Sequence, residues 1–198
     1  MSLATHEIKM VNMAARQAIT HFPALITNRL YLRQLEAKDT DALFAIKSDP
    51  QVTRHYGQEP HTLPSDTLAW IQRLQASFDR CEDVAWGITL IDYDLIIGVC
   101  TLWNFDTSFH CAEIGCELHP NYGRRGIMSE AISAVLAFGF IDLGLHRIEA
   151  NPLAENTPSI NLLRKLGFKQ EGVLRQRHYF RGRFEDQVYF GLLRDEGR

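Results

Sequence analysis

Two glycines and two arginines stand together in HPNYGRRGIMSEAI, residues 119–132, at the point where a strand gives way to a helix. That composition suits an anion. The first turn of a helix has backbone N–H groups without intrahelical acceptors, and the helix dipole adds positive character at the same end. Gly123 and Gly126 let the backbone come close to a bound group. Arg124 and Arg125 add charge to hold it. A phosphate compound is the expected ligand. The Walker pattern is missing, because no G-K-[ST] closes the loop, and so is the dinucleotide fingerprint G-x-G-x-x-G. What remains is a strand followed by G-x-x-G-x-x-x-E-A.

The elements that must position this loop read as a mixed α/β layer. The 198 residues and 45% hydrophobic content suit one packed domain, set at 26–198, behind an extension over 1–25. A short amphipathic helix is expected within residues 6–19. RLYLRQL alternates as a strand, with Leu30 and Leu32 inward. A helix follows, capped at Asp39 or Thr40, with Leu43, Phe44 and Ile46-Lys47 on its apolar side and Pro50 at its end. Ser65 is the expected cap of a second helix carrying Leu68, Ile71, Leu74 and Phe78. VAWGITLID and LIIGVCTLW read as a hairpin turning at Tyr93-Asp94. CAEIGCELHP is a strand, SEAISAVLAFGFIDLG a long helix and HRIEANP a short strand. NTPSINLLRKLG is a helix capped by Asn156 or Thr157 and closed by Gly167. FKQEGVLRQRHYF and RFEDQVYFGLL close the chain as a hairpin over Arg181-Gly182.

Composition also removes function classes. A formal charge of -3 does not suit a nucleic-acid binder. No apolar run spans a bilayer, and Lys9, Asn12, Arg16 and Gln17 interrupt any signal-peptide core, so a cytoplasmic protein is expected. Cys81, Cys100, Cys111 and Cys116 show no C-x-x-C spacing and read as reduced thiols. No H-E-x-x-H pattern suggests a metal. The arginines of RQRHYFRGR read as a solvated hairpin face.

Several segments, in order, resemble the GCN5-related N-acetyltransferases (GNAT). P-N-Y-G-R-R-G-I-M-S-E-A resembles their pyrophosphate loop, and more narrowly that of the RimJ/RimL branch, which acetylates ribosomal-protein N-termini. TNRLYLRQLEAKDTDALFAIKSDPQV, LIIGVCTL, AEIGCEL and NTPSINLLRKLGFKQEG resemble further segments of that branch. The resemblance covers about residues 27 to 193. It implies a mostly antiparallel central sheet with flanking helices and one splayed parallel strand pair. It also implies acetyl-CoA as donor, with the pyrophosphate on the amides of Arg124, Arg125, Gly126, Ile127, Met128 and Ser129. The pantetheine arm would run beside the strand ending at Leu118 and His119. Asn156 matches the family's pantetheine-contacting asparagine, and Asn161 stands where many relatives carry Arg. Gly123 and Met128 depart from the family loop [QR]-x-x-G-x-[GA], and Cys116 stands where the branch often has Tyr.

The implied reaction moves an acetyl group from sulfur to an amine nitrogen. An α-amine, with a pKa of about 7.7–8.0, is far easier to use neutral than a lysine amine at about 10.4. Ser159 matches the family's N-x-x-S serine and is the candidate proton donor to the departing thiolate. The base is open among Glu117, His178, Glu113 and an ordered water. Strand alternation puts Glu113, Glu117 and His119 on one face and Ile114, Cys116 and Leu118 on the other. Cys116 raises an acyl-enzyme route that direct transfer does not need. Trp103, Phe105 and Tyr56 are candidates for the acceptor pocket. The expected acceptor is a protein N-terminus. A small-molecule amine, or a CoA-binding sensor without turnover, are the alternatives. Relatives are often dimers, which makes a homodimer the expected assembly.

Overall fold

The alternating strands and apolar-sided helices assemble as one sheet with helices on both faces. In the computed structural model, residues 21–55 and 59–196 are described. The helix expected within residues 6–19, and Tyr56, lie outside them.

Among the described residues, eight strands form the sheet in the order β1-β2-β3-β4-β5-β6-β8-β7. They are β1 (Leu25–Ile26), β2 (Leu30–Gln34), β3 (Val84–Leu90), β4 (Tyr93–Asp106), β5 (Cys111–Leu118), β6 (Arg147–Ala150), β7 (Lys169–Phe180) and β8 (Arg183–Leu193). Every neighbouring pair is antiparallel except β5 with β6. This is the mixed, mostly antiparallel architecture expected.

Among the described residues, five α-helices cover the sheet: α1 (Thr40–Lys47), α2 (Pro50–Thr53), α3 (Pro64–Asp79), α4 (Ile127–Ala137) and α5 (Thr157–Lys165). On one face α4 and α5 send Ile127, Ala131, Ile132, Val135, Ile160 and Leu163 into a large cluster with Trp86, Leu102 and Ile114. On the other, α1 and α3 send Leu43, Ile46 and Ile71 against Leu35, Ile96 and Val99. Two clusters on opposite faces are what a sheet with a helical layer on each side requires.

Three local expectations need correction, and a fourth, at Pro50, holds with an addition. The cap of α3 is Leu63, not Ser65: Pro64 takes the first helical position, and Asp66 Oδ2 accepts from the N–H groups of Thr62 and Leu63 at 3.0 Å. The β3–β4 hairpin turns at Ile91-Asp92, because Tyr93 already pairs with Leu90. Pro50 does end α1, but it also opens α2, where the Asp49 carboxylate accepts from Gln51 N–H at 2.7 Å. The long helix after the glycine loop is regular to Ala137 and then widens into a π-helical turn over Phe138–Asp142. By contrast, Asn156 caps α5 and Gly167, at φ 90°, leaves it in the left-handed region.

Candidate active site

The loop between β5 and α4 is built for a backbone-bound anion. Arg124 at φ 61° and Gly126 at φ 74° are both left-handed, so successive amides turn toward one side of the loop. The Gly126 carbonyl accepts from Glu130 N–H at 3.0 Å. The N–H groups of Ile127, Met128 and Ser129 therefore precede the helical ladder and have no intrahelical acceptor. Ile127 and Met128 anchor the turn by burying their side chains, while Arg124 and Arg125 are exposed. A pyrophosphate fits this arrangement of free amides, small residues and two cations.

A clamp from the β1–β2 turn holds the loop. Glu130 Oε1 accepts from Thr27 Oγ1 at 2.6 Å and from Arg29 N–H at 3.0 Å. Arg29 Nε donates to Glu130 Oε2 at 2.6 Å, and its Nη1 donates to the Arg125 carbonyl at 3.0 Å. Burial alone pushes the Glu130 carboxyl up. Its bonds to Thr27 and Arg29 outweigh this and hold it below its ordinary 4.5.

Next to this loop the sheet splits. The β5–β6 pairing runs only over Cys111↔Arg147, Ala112↔Ile148 and Glu113↔Glu149. Beyond that point the strands part, and a cavity of about 520 Å³ opens between them. Ile114 and Cys116 face the α4–α5 layer, where Ile132, Asn156, Ser159 and Leu162 line the cavity. Glu113 and Glu117 face the opposite layer, where Lys47, Trp70, Arg73 and Trp103 line it. The cavity thus passes through the sheet, with Ile132 of α4 and the start of α5 on one side and a carboxylate on the other; residues 123–129, the loop and the first turn of α4, are not part of its lining. Gly115 makes room: a Cβ there would stand 2.6 Å from the Trp103 ring, so only glycine lets that indole lie against β5.

Glu117 is the carboxylate that the structure singles out. Lys47 Nζ forms an ion pair with its Oε1, and the two side chains are only 9% and 12% exposed. The same ammonium sits 3.9 Å from the centre of the Trp70 ring. Among the described residues, Glu117 Oε2 is buried and has no hydrogen-bond partner. Glu113 differs. Its oxygens accept from Asn104 Nδ2 at 2.7 Å and Asn151 Nδ2 at 3.1 Å. Both of its oxygens already have partners.

The other residues expected at the site divide. Asn156 and Ser159 line the cavity, and Asn156 Oδ1 accepts from Ser159 N–H at 3.2 Å. Asn161 is exposed and does not line it. Leu118 and His119 end β5 beside the loop, and His119 Nδ1 accepts from Asn121 N–H at 3.2 Å. His178 lies on β7, paired in register with Glu185, and is not part of the cavity lining. Trp103 lines the cavity, whereas Phe105 packs against the core. Burial, then the Glu117 charge, pushes the Cys116 thiol up to about 12, which disfavours the thiolate an acyl-enzyme needs. Arg181 and Arg183 pair with Glu59 and Glu155. Residues that sequence reading did not place here are Lys47, Trp70, Asn151 and His55. Burial, then Arg54, lowers the His55 pKa below its ordinary 6.5. Lys47 carried a signal: it is a charge on the apolar side of α1.

The acetyltransferase (GNAT) domain model matches residues 29–169, and the chain belongs to that family. Over 173 residues it is 40% identical to the uncharacterized N-acetyltransferase YoaA of Bacillus subtilis, covering 87% of this chain and 98% of that protein. It is 27% identical to the [ribosomal protein uS5]-alanine N-acetyltransferase of Escherichia coli, over 85% of this chain and 89% of the relative. The crystal structure of a GNAT-family acetyltransferase from Bacillus anthracis superposes with a TM-score of 0.80 at 28% identity, covering 88% of this chain and all of the other. Mycobacterium smegmatis RimJ in complex with CoA-disulfide superposes at 0.75 with 26% identity, covering 84% and 83%. The chain is an N-acetyltransferase with the GNAT fold. Among the described residues, no helix is long and apolar enough to cross a membrane.

Proposed function

We propose that this enzyme transfers the acetyl group of acetyl-CoA directly to a protein N-terminal α-amine, with Glu117 as the base. The observation that carries this reading is the cavity at the split in the sheet, lined by Asn156 and Ser159 on one side and on the other by Glu117, whose buried Oε2 has no partner among the described residues. Likeness to the ribosomal-protein alanine acetyltransferase and to CoA-bound RimJ supports the acceptor and donor classes.

In this reading acetyl-CoA supplies an activated thioester. Residues 124–129 bind its pyrophosphate, and Asn156 borders its pantetheine arm. The neutral α-amine enters from the α1–α3 side. Its lone pair forms the C–N bond, and the nitrogen becomes acidic as it does so. Glu117 Oε2 takes that proton. The C–S bond breaks, and sulfur leaves with the electron pair and receives a proton from the Ser159 side. Lys47 fixes Oε1 and so aims Oε2. Trp70 and Trp103 exclude water from the acceptor path.

Thiol release from acetyl-CoA tests the reading against peptides beginning with Ala, Ser or Met, polyamines, free amino acids and aminoglycosides. Release dependent on an N-terminal α-amine is expected. Release with a polyamine or aminoglycoside and none with any peptide would refute the acceptor class.

A further inference from the structure

Glu117 Oε2 is not the sole buried oxygen in the cavity wall without a partner. Among the described residues, Asn151 Oδ1 is another. Its orientation follows from chemistry: a carboxylate only accepts, so the amide must turn its Nδ2 toward Glu113. That leaves Oδ1 as the group without a donor. Gln187 Nε2 holds the backbone of the same residue, donating to the Asn151 carbonyl at 2.9 Å.

Register puts the two oxygens on one face. Glu113 and Glu149 are direct neighbours across β5 and β6. Counting by twos, Glu117 follows Glu113 on one strand, and Asn151 follows Glu149 just past the end of the other. Both side chains lie on the acceptor face, one on each arm of the split. A buried acceptor without a donor carries an unrecovered desolvation penalty, and an N–H group entering the cavity would relieve it.

We propose that Asn151 is a specificity residue for the acceptor: its Oδ1 and Glu117 Oε2 each take a different N–H of the incoming amine, which selects primary amines. The inference rests on the proposed transfer and refines it. A neutral primary amine has four tetrahedral directions. One is its substituent, which leads out of the cavity, and one is the lone pair, which must point at the thioester carbon. The remaining two are N–H bonds, matching two oxygens. A secondary amine has one N–H and sets a methyl group against an oxygen, leaving that oxygen unpaired. Such sites reject the analogue that lacks the donor strongly.

The test compares the best acceptor from the amine panel with its mono-N-methyl counterpart, reading kcat/KM for each. The wild type should prefer the primary amine. Asn151→Ala should narrow that preference by about tenfold or more, with the affinity for CoA unchanged. The double change Asn151→Asp, Glu113→Gln keeps the hydrogen bond between the two positions with donor and acceptor exchanged. With an acceptor oxygen kept at the position of Asn151 Oδ1, the variant should restore the preference, which a role confined to holding Glu113 or the fold does not explain together with the alanine result. An unchanged ratio in Asn151→Ala, or a double variant that remains as unselective as alanine, overturns the proposal. If the best acceptor is a polyamine, the N-terminal reading fails while the amine selectivity is still measured. Absence of transfer to every amine overturns both.

Discussion

Two buried ion pairs among the described residues join the same kinds of charge and differ in completeness. Arg33 and Asp39 are 7% and 4% exposed. Arg33 Nη1 and Nη2 donate to the two Asp39 oxygens at 2.8 and 2.7 Å, and Glu36 N–H adds a third bond at 2.8 Å. Arg33 Nε then reaches Asp94 at 2.6 Å. Every oxygen of Asp39 is occupied, and the pair ties β2 to the start of α1. Lys47 and Glu117 are buried to a similar degree, yet one Glu117 oxygen is left without a donor and lies at a cavity. A saturated pair fixes structure. A pair with one oxygen in reserve has capacity for a proton or an N–H group.

The contrast breaks apart on mutation. Asp39→Asn leaves a buried guanidinium short of its partner and should cost about 3–5 kcal/mol of stability, read by chemical denaturation. Its turnover per folded molecule should match the wild type, because Asp39 does not line the cavity. Removing both charges of the other pair, Lys47→Met with Glu117→Gln, leaves no uncompensated ion. Its stability should stay within about 1–2 kcal/mol of the wild type, while thiol release collapses. Stability and activity thus part in opposite directions at the two sites.

A third carboxylate sharpens the comparison with a smaller effect. Glu130 is saturated like Asp39, but it holds the anion loop in place of the core. Its folded pKa is depressed, so its contribution is present above the ordinary 4.5 and is lost as pH falls through the folded value. CoA affinity should therefore weaken as pH drops below about 4.5, ahead of global unfolding, by about tenfold at most. Glu130→Gln should show a weakened affinity already at neutral pH and a flatter acid response, checked by calorimetric titration with CoA.

What was legible in sequence follows the same division. The proposed donor side is written locally: Gly123, Gly126 and the helix start stand within a few residues, because a site made of backbone amides requires only small residues there. Asn156, Ser159 and Gly167 were readable for the same reason, being tied to the ends of one helix. The proposed acceptor side is assembled from distant segments. Lys47 meets Glu117 across 70 positions, and Asn151 meets Glu113 across 38. No local spacing encodes such meetings. They depend on the register between β5 and β6 and on the packing of α1. Ser65 and Tyr93-Asp94 misled locally: Pro64 and Asp66 outcompeted the serine, and strand pairing drew the tyrosine into β4.

The most direct test of the central claim is a parallel measurement on Glu117→Gln: CoA affinity by calorimetry, and kcat for thiol release with the best acceptor. The open oxygen on the acceptor side predicts unchanged CoA affinity with kcat lowered about 10²–10⁴-fold, the range for loss of a general base. A kcat within about threefold of the wild type would contradict the account, since Glu117 would then be an ion-pair partner like Asp39 and the base would lie elsewhere.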